Sequence, residues 1–294
     1  MLNDPPPEKN RPRRPHPLEQ PSSPPPGDDG NDSGGDDGQP RQQRAQLHIP
    51  VVKPTVTQVL VAVNSVIFAI MFFVFDEFQL ADTYAWGANN RIDVLVEGQY
   101  YRLLTAMFMH GGIAHIVFNM YALWAIGQMV EGFFGHVRYL LVYFLGGVLG
   151  SIASVVFNGP NVTSVGASGA VFAVFGAQMV FLYNHRKLFG EMARQQLRQL
   201  IVIGAINFAF GIASTFSSDG VNIDNWGHLG GLVGGLVIAY LFGPVFLLER
   251  REGAGIAFQA VDVNPLESKI QQVFAYISGL LIVLIAASYL ARGL

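Results

Sequence analysis

After Thr55 the sequence is dominated by seven long apolar segments, at about residues 56–75, 111–130, 137–157, 167–184, 198–216, 226–248 and 271–290. Each can cross a hydrocarbon core of about 30 Å at about 1.5 Å of helix per residue. Lipid offers no hydrogen bonds to the backbone, so runs of this kind satisfy their own N–H and C=O groups as helices. The expected fold is an all-α membrane protein. Its core is six transmembrane helices within residues 55–250, followed by a cytoplasmic linker at 251–269 and a seventh transmembrane helix within 270–294.

The composition agrees once its distribution is considered. The chain is 51% hydrophobic and 13% charged, and 13 of its 16 prolines precede Thr55. Residues 1–54 are rich in Pro, Gly, Ser and Asp, with little to bury, and read as a disordered cytoplasmic leader. They contain no apolar stretch of the kind a signal peptide needs. A net charge of -3 gives no argument for nucleic acid as a partner. The absence of cysteine excludes disulfides, iron–sulfur clusters and thiolate zinc sites.

Lys and Arg set the expected orientation. They fall in the leader (Lys9, Arg11, Arg13, Arg14, Arg41, Arg44, Lys53), on the turn at Arg138, after the fourth span (Arg186, Lys187, Arg194, Arg198) and after the sixth (Arg250, Arg251, Lys269). The segments 158–164 and 217–224 carry no basic residue. The N-terminus is thus expected in the cytoplasm and the C-terminus outside. The long outer connection 76–110, with Tyr84, Trp86, Tyr100 and Tyr101, reads as an amphipathic segment half embedded in the outer leaflet.

Against this background several polar residues stand out, because ionisable groups in membrane spans are costly and mark functional candidates. The second span opens "HGGIAHIVFN", with His115 and Asn119 four apart on one helical face and His110 at the helix entry. The fourth opens "GASG", residues 166–169, and the sixth contains His228 in "GHLGG". The glycines at 230/234 and 231/235 have the small-xxx-small spacing of close helix packing. All three spans start at the outer face, and Ser168 falls about 6 Å below it, so His115, Asn119, Ser168 and His228 share one depth. Packing devices on separate helices have no reason to align in this way. Ser168 can supply a nucleophilic hydroxyl and His228 a base that titrates near neutrality. His115, Asn119 and the Ser168 N–H can act as oxyanion donors, and Gly166 and Gly169 leave room for a substrate backbone. Asp224, one turn before His228, is expected at the water surface, leaving a Ser–His dyad without an orienting acid.

These residues resemble the rhomboid intramembrane serine proteases over roughly residues 100–235. "HGGIAHIVFN", "GASG" and "GHLGG" occur in that family's order, on the second, fourth and sixth spans. The resemblance implies Ser168 as nucleophile, His228 as base, and His115 and Asn119 in the oxyanion hole, with no cofactor and no metal. It implies that Phe172 packs on the base histidine. The family's Trp-Arg pair is Tyr101-Arg102 here, and Arg102 is expected to contact Glu131 and brace the outer loop. The seventh span is similar to the six-plus-one arrangement of bacterial and secretory-pathway members, which implies a bacterial cell membrane. The implied substrates are single-span membrane proteins, held in the lipid bilayer and cut near its outer face. Three other readings remain open at this point: an inactive client-binding relative, a transporter with a polar site, and zinc held by His110, His115 and His228. The sequence names neither a substrate nor an oligomeric state, and Asn161 in its N-V-T sequon is expected unmodified beside the fourth span.

Overall fold

A short strand, β1 (Gln46–His48), precedes helix α1 (Thr55–Phe73), whose N-cap is Pro54. Proline has no side-chain oxygen for the orphan N–H groups of a first turn. Glu131 supplies it from a distant point in the sequence, accepting from Val56 N at 2.8 Å and from Thr57 N and Oγ1 at 2.7 Å each. Its carboxylate also meets His136 Nδ1 at 2.7 Å. A buried negative charge is well placed at the positive end of a helix.

The computed structural model describes residues 46–214, 216, 223–250 and 257–293, all inside a compact unit that runs from Arg44 to Leu294. The expected disorder of the leader up to residue 45, the loop around Asp219 and the basic position Arg251 lie outside the described residues.

Helix α2 (Glu77–Gly87) starts with a reciprocal cap between Asp76 and Gln79. Strand β2 (Asn89–Asn90), a π-helical turn (Ile92–Val96), α3 (Arg102–Thr105) and a 3-10 turn (Ala106–Phe108) complete the long connection between α1 and α4. Arg102 is buried at its centre, donating to Gln99 Oε1 at 2.7 Å and Ala88 O at 3.0 Å, with Asp93 at 3.5 Å. The expected Arg102–Glu131 contact is therefore not made. Arg102 braces the connection through its own neighbours, while Glu131 caps α1 beside the Gly135 break.

Helix α4 (Ile113–Phe157) is two limbs, broken at Gly135 where φ is 76° and ψ 165°. A methyl built on Gly127 would meet the Tyr139 hydroxyl at 2.5 Å. In one straight helix those two residues would lie about 18 Å apart, so the chain turns back on itself at the glycine. After strand β3 (Thr163–Ser164), which pairs antiparallel with β2, come α5 (Ser168–Asn184), α6 (Arg186–Ser214, broken at Gly190) and α7 (Asn225–Phe242). Helix α5 is the centre of the bundle: every residue from 170 to 177 is buried, the pattern of a helix enclosed on all sides.

Among the described residues five helices are long and apolar enough to cross a membrane: α1, α4, α6, α7 and α8 (Ile270–Arg292) with its preceding 3-10 turn. The shorter α5 is also apolar. Large apolar side chains such as Phe118, Tyr121, Tyr240, Ile282 and Leu290 face outward. Gly146, Gly150, Gly176, Gly230, Gly231, Gly234 and Gly235 face inward, where small residues let helix backbones approach in lipid.

Gly243 and Pro244 end α7, short of the expected span limit of 248. Residues 246–248 instead belong to β4 (Phe246–Arg250), antiparallel to β5 (Ala257–Asp262), which pairs in parallel with β1. A small sheet thus occupies positions expected in the leader, the sixth span and the linker. Asp262 fastens it, accepting from Val245 N, Asn264 N and Arg138 Nη1 within 3.0 Å. His185, which caps α5, donates from Nδ1 to Phe181 O at 2.8 Å and accepts Phe246 N at Nε2 at 2.9 Å. At its other end α8 reaches the long connection before α4, where Arg292 Nε donates to Leu95 O at 3.1 Å and the Tyr100 hydroxyl to Ser288 Oγ at 3.3 Å.

Candidate active site

The junction of the second limb of α4 with α5 and α7 is built from glycine. A methyl on Gly150 would lie 2.7 Å from Gly227 O and 3.3 Å from both Gly169 Cα and Gly231 N. A methyl on Gly231 would run into the backbone of Gly169. No side chain separates the three helices here, and the two residues of interest adjoin these contacts. Ser168 precedes Gly169 at the first turn of α5, and His228 follows Gly227 at the first turn of α7. Ser168 is partly exposed, whereas His228 is buried with its ring stacked on Phe172, centroids 4.5 Å apart and planes 20° apart. That stacking fixes the plane of the imidazole without an acid. Among the described residues no hydrogen bond joins Ser168 to His228, and His228 Nδ1 has no partner. Hydrogen bonds between catalytic groups are often long without substrate.

The residues before Ser168 are shaped by a second histidine. Gly166 adopts φ +125°, a region open to glycine, and a side chain there would meet the His115 ring, its Cβ 2.6 Å from Nε2. Gly111 N–H points at His115 Nδ1 at 3.4 Å, so a neutral His115 carries its proton on Nε2, the atom that faces the Gly166 backbone. Asn119, one turn on, commits one amide N–H to His115 O at 2.9 Å. Its other N–H has no protein partner among the described residues. His110 packs edge-on to His115 with centroids 5.2 Å apart, and Ala167 N–H points at His110 Nε2 at 3.4 Å.

The structure thus gathers Ser168, Gly166, His115, His110, Phe172 and His228 around one junction of α4, α5 and α7, with Asn119 one turn beyond His115 on α4. Arg102 belongs to the long connection before α4 and Glu131 to the α1 cap, so neither forms part of this cluster. Among the described residues no three His, Asp or Glu side chains come together as metal ligands. Two groups at the site escaped the sequence reading. Tyr84 of α2 donates its hydroxyl to His110 O at 2.6 Å, and no sequence spacing announces that contact. Asp224 is half-buried and multiply bonded, not free at the water surface; its position just before a helix could have shown it as a cap.

Fold and site together define a multi-pass helical membrane protein with a serine and a histidine on adjacent, glycine-packed helices. The family model of the Rhomboid domain matches residues 97–245, half of the chain, and the chain belongs to the rhomboid family. It is 39% identical over 191 residues to rhomboid protease GluP of Bacillus subtilis, which covers 65% of this chain and 35% of that protein. It is 35% identical over 167 residues to RHOMBOID-like protein 1 of Arabidopsis thaliana, covering 57% of this chain and 40% of that one. The chain thus spans less than half the length of either relative.

Proposed function

We propose that the protein is an intramembrane serine endopeptidase that cleaves single-span membrane proteins near the outer face of the membrane. The observation that carries the reading is the glycine junction, which brings the Ser168 turn and the His228 turn together with nothing between their backbones. Membership of the rhomboid family supports it, as does the name of the relative from Bacillus subtilis.

In this reading Ser168 Oγ attacks the scissile carbonyl carbon while His228 takes its proton. In the same reading the resulting oxyanion is met by the Ser168 N–H, His115 Nε2–H and the second N–H of Asn119, which stabilise the charge as it develops. Collapse of the intermediate expels the amine, which receives the proton from His228 and leaves an ester on Ser168. Water, deprotonated by the same histidine, then releases the acid and restores the hydroxyl. No metal is needed. A helical substrate hides its carbonyls in its own hydrogen bonds, so it unwinds before attack. The distribution of basic residues supports an N-terminus in the cytoplasm and a C-terminus outside, and the resemblance to the six-plus-one arrangement supports a bacterial cell membrane.

The test is labelling of detergent-purified protein by a fluorophosphonate serine probe. The wild type should label and Ser168→Ala should not. Equal labelling of both would remove Ser168 as the nucleophile.

A further inference from the structure

Asp224 lies four residues before His228, yet its carboxylate makes no described hydrogen bond to the imidazole. It is occupied elsewhere. Oδ1 accepts from Gly227 N at 2.8 Å, capping α7, and from Asn158 Nδ2 at the end of α4 at 2.9 Å. Oδ2 accepts from Ser164 Oγ at 2.6 Å, a short charge-assisted bond to the loop that leads into α5. Its backbone carbonyl accepts His228 N at 3.0 Å. Gly227 has to be glycine for this arrangement, because a Cβ there would stand 2.5 Å from Oδ2.

We propose that Asp224 is a positioning residue, whose carboxylate sets the register of the Ser168 turn against the His228 turn. A helix cap requires a single acceptor oxygen. Here both oxygens are used, and the second is spent on the loop, not on the helix. That loop joins α4 to α5 through Gly166, whose left-handed φ makes it a pivot just before Ser168. Its other described anchors include the two-residue pairing of β3 with β2, the bond from Gly166 N to Ala106 O at 2.9 Å and the Ala167 N–H that points at His110 Nε2. These tie the loop to the connection that precedes α4; the bonds of Asp224 to Ser164 and Asn158 tie it to α7. The acid of this site therefore holds the backbone that carries the dyad, and its carboxylate makes no described hydrogen bond to the imidazole.

The inference rests on the Ser168–His228 reading, and the test separates the two. The full chain is purified in detergent, and the second-order rate of fluorophosphonate labelling is measured beside thermal unfolding. Asp224→Ala should slow labelling by at least about tenfold, as expected for a small misplacement of reacting groups. Asp224→Ser keeps a cap oxygen but cannot span both partners, so it should restore the unfolding temperature without restoring the labelling rate. Ser164→Ala should slow labelling while leaving α7 capped, and should add little to Asp224→Ala, because the two act through one bond. Wild-type labelling rates in Asp224→Ser or Ser164→Ala would overturn the inference and leave the dyad intact. If Asp224→Ala does not fold, Ser164→Ala and Asp224→Ser still decide. Failure of the folded wild type to label at all would instead overturn the dyad reading, and this inference with it.

Discussion

Replacing Glu131 by alanine tests the physics of the fold apart from its chemistry. The buried carboxylate accepts from Val56 N, Thr57 N and Thr57 Oγ1, all within 2.8 Å, and proline at the cap offers α1 nothing in its place. Net contributions of hydrogen bonds to charged groups are about 1.5–3 kcal/mol each, and the Thr57 hydroxyl can turn toward another acceptor. Two stranded backbone N–H groups then put the loss for Glu131→Ala at about 3–6 kcal/mol. For a chain of this size each kcal/mol moves the midpoint by about 2–4 °C, so thermal unfolding in detergent should fall by about 10 °C. Glu131→Gln keeps one acceptor oxygen and should lose about half as much. Amide exchange should accelerate at Val56 and Thr57 before it does so in α5. Fluorophosphonate labelling well below the midpoint should be unchanged, because Glu131 lies outside the Ser168 cluster. An unfolding temperature for Glu131→Ala within 1–2 °C of wild type, a shift corresponding to under about 1 kcal/mol, would refute the cross-chain cap.

Two further outcomes follow from the geometry. Burial pushes the His185 imidazole below its ordinary range, against the opposing effects of its bond to Phe181 and of nearby Asp262. Its Nε2 accepts Phe246 N, so protonation would set two N–H groups against each other. The folded state resists a proton that the unfolded state takes up near pH 6.5. Stability from this group is therefore complete above about pH 6.5 and is lost as the pH falls below it. His185→Gln should flatten the fall in unfolding temperature between about pH 7.5 and 5.5, and an unchanged slope would remove His185 as its source. At the site, Asn119→Ala should slow proteolysis by about 10²–10³-fold, with weak probe labelling of Ser168 retained. An unchanged rate would make Asn119 a packing residue.

The spans and the site were legible for one reason: both are written locally. A run of apolar residues reports a membrane helix, and the second and third spans were separable because Gly135 interrupts them where the chain reverses. "GASG" and "GHLGG" carry their meaning in a few adjacent residues, since close helix approach needs glycine at the contact itself. The small sheet was not legible. Phe246–Arg250 continues the apolar end of α7, and Ala257–Asp262 has no partner near enough in sequence to announce β1. Arg102 and Glu131 were expected to contact each other, and each found other partners. Nothing in their spacing told that Arg102 would find Ala88 and Gln99 nearby, or that Glu131 would reach across to α1. From the sequence Asp224 is expected only at the water surface without orienting His228; no spacing announces its bond to a loop sixty residues earlier in the chain.

The central claim is that Ser168 and His228 form one catalytic unit, and the most direct test is proteolysis of a membrane-anchored client by purified protein. Alanine at 168 suits a helix interface as well as serine does, so a packing role predicts undiminished cleavage. The account predicts loss to background in Ser168→Ala, nearly the same loss in His228→Ala, and a double variant little worse than either. Folding and membrane insertion should be unaffected, and EDTA should have no effect on the wild type. Full cleavage of the client by Ser168→Ala protein would contradict it.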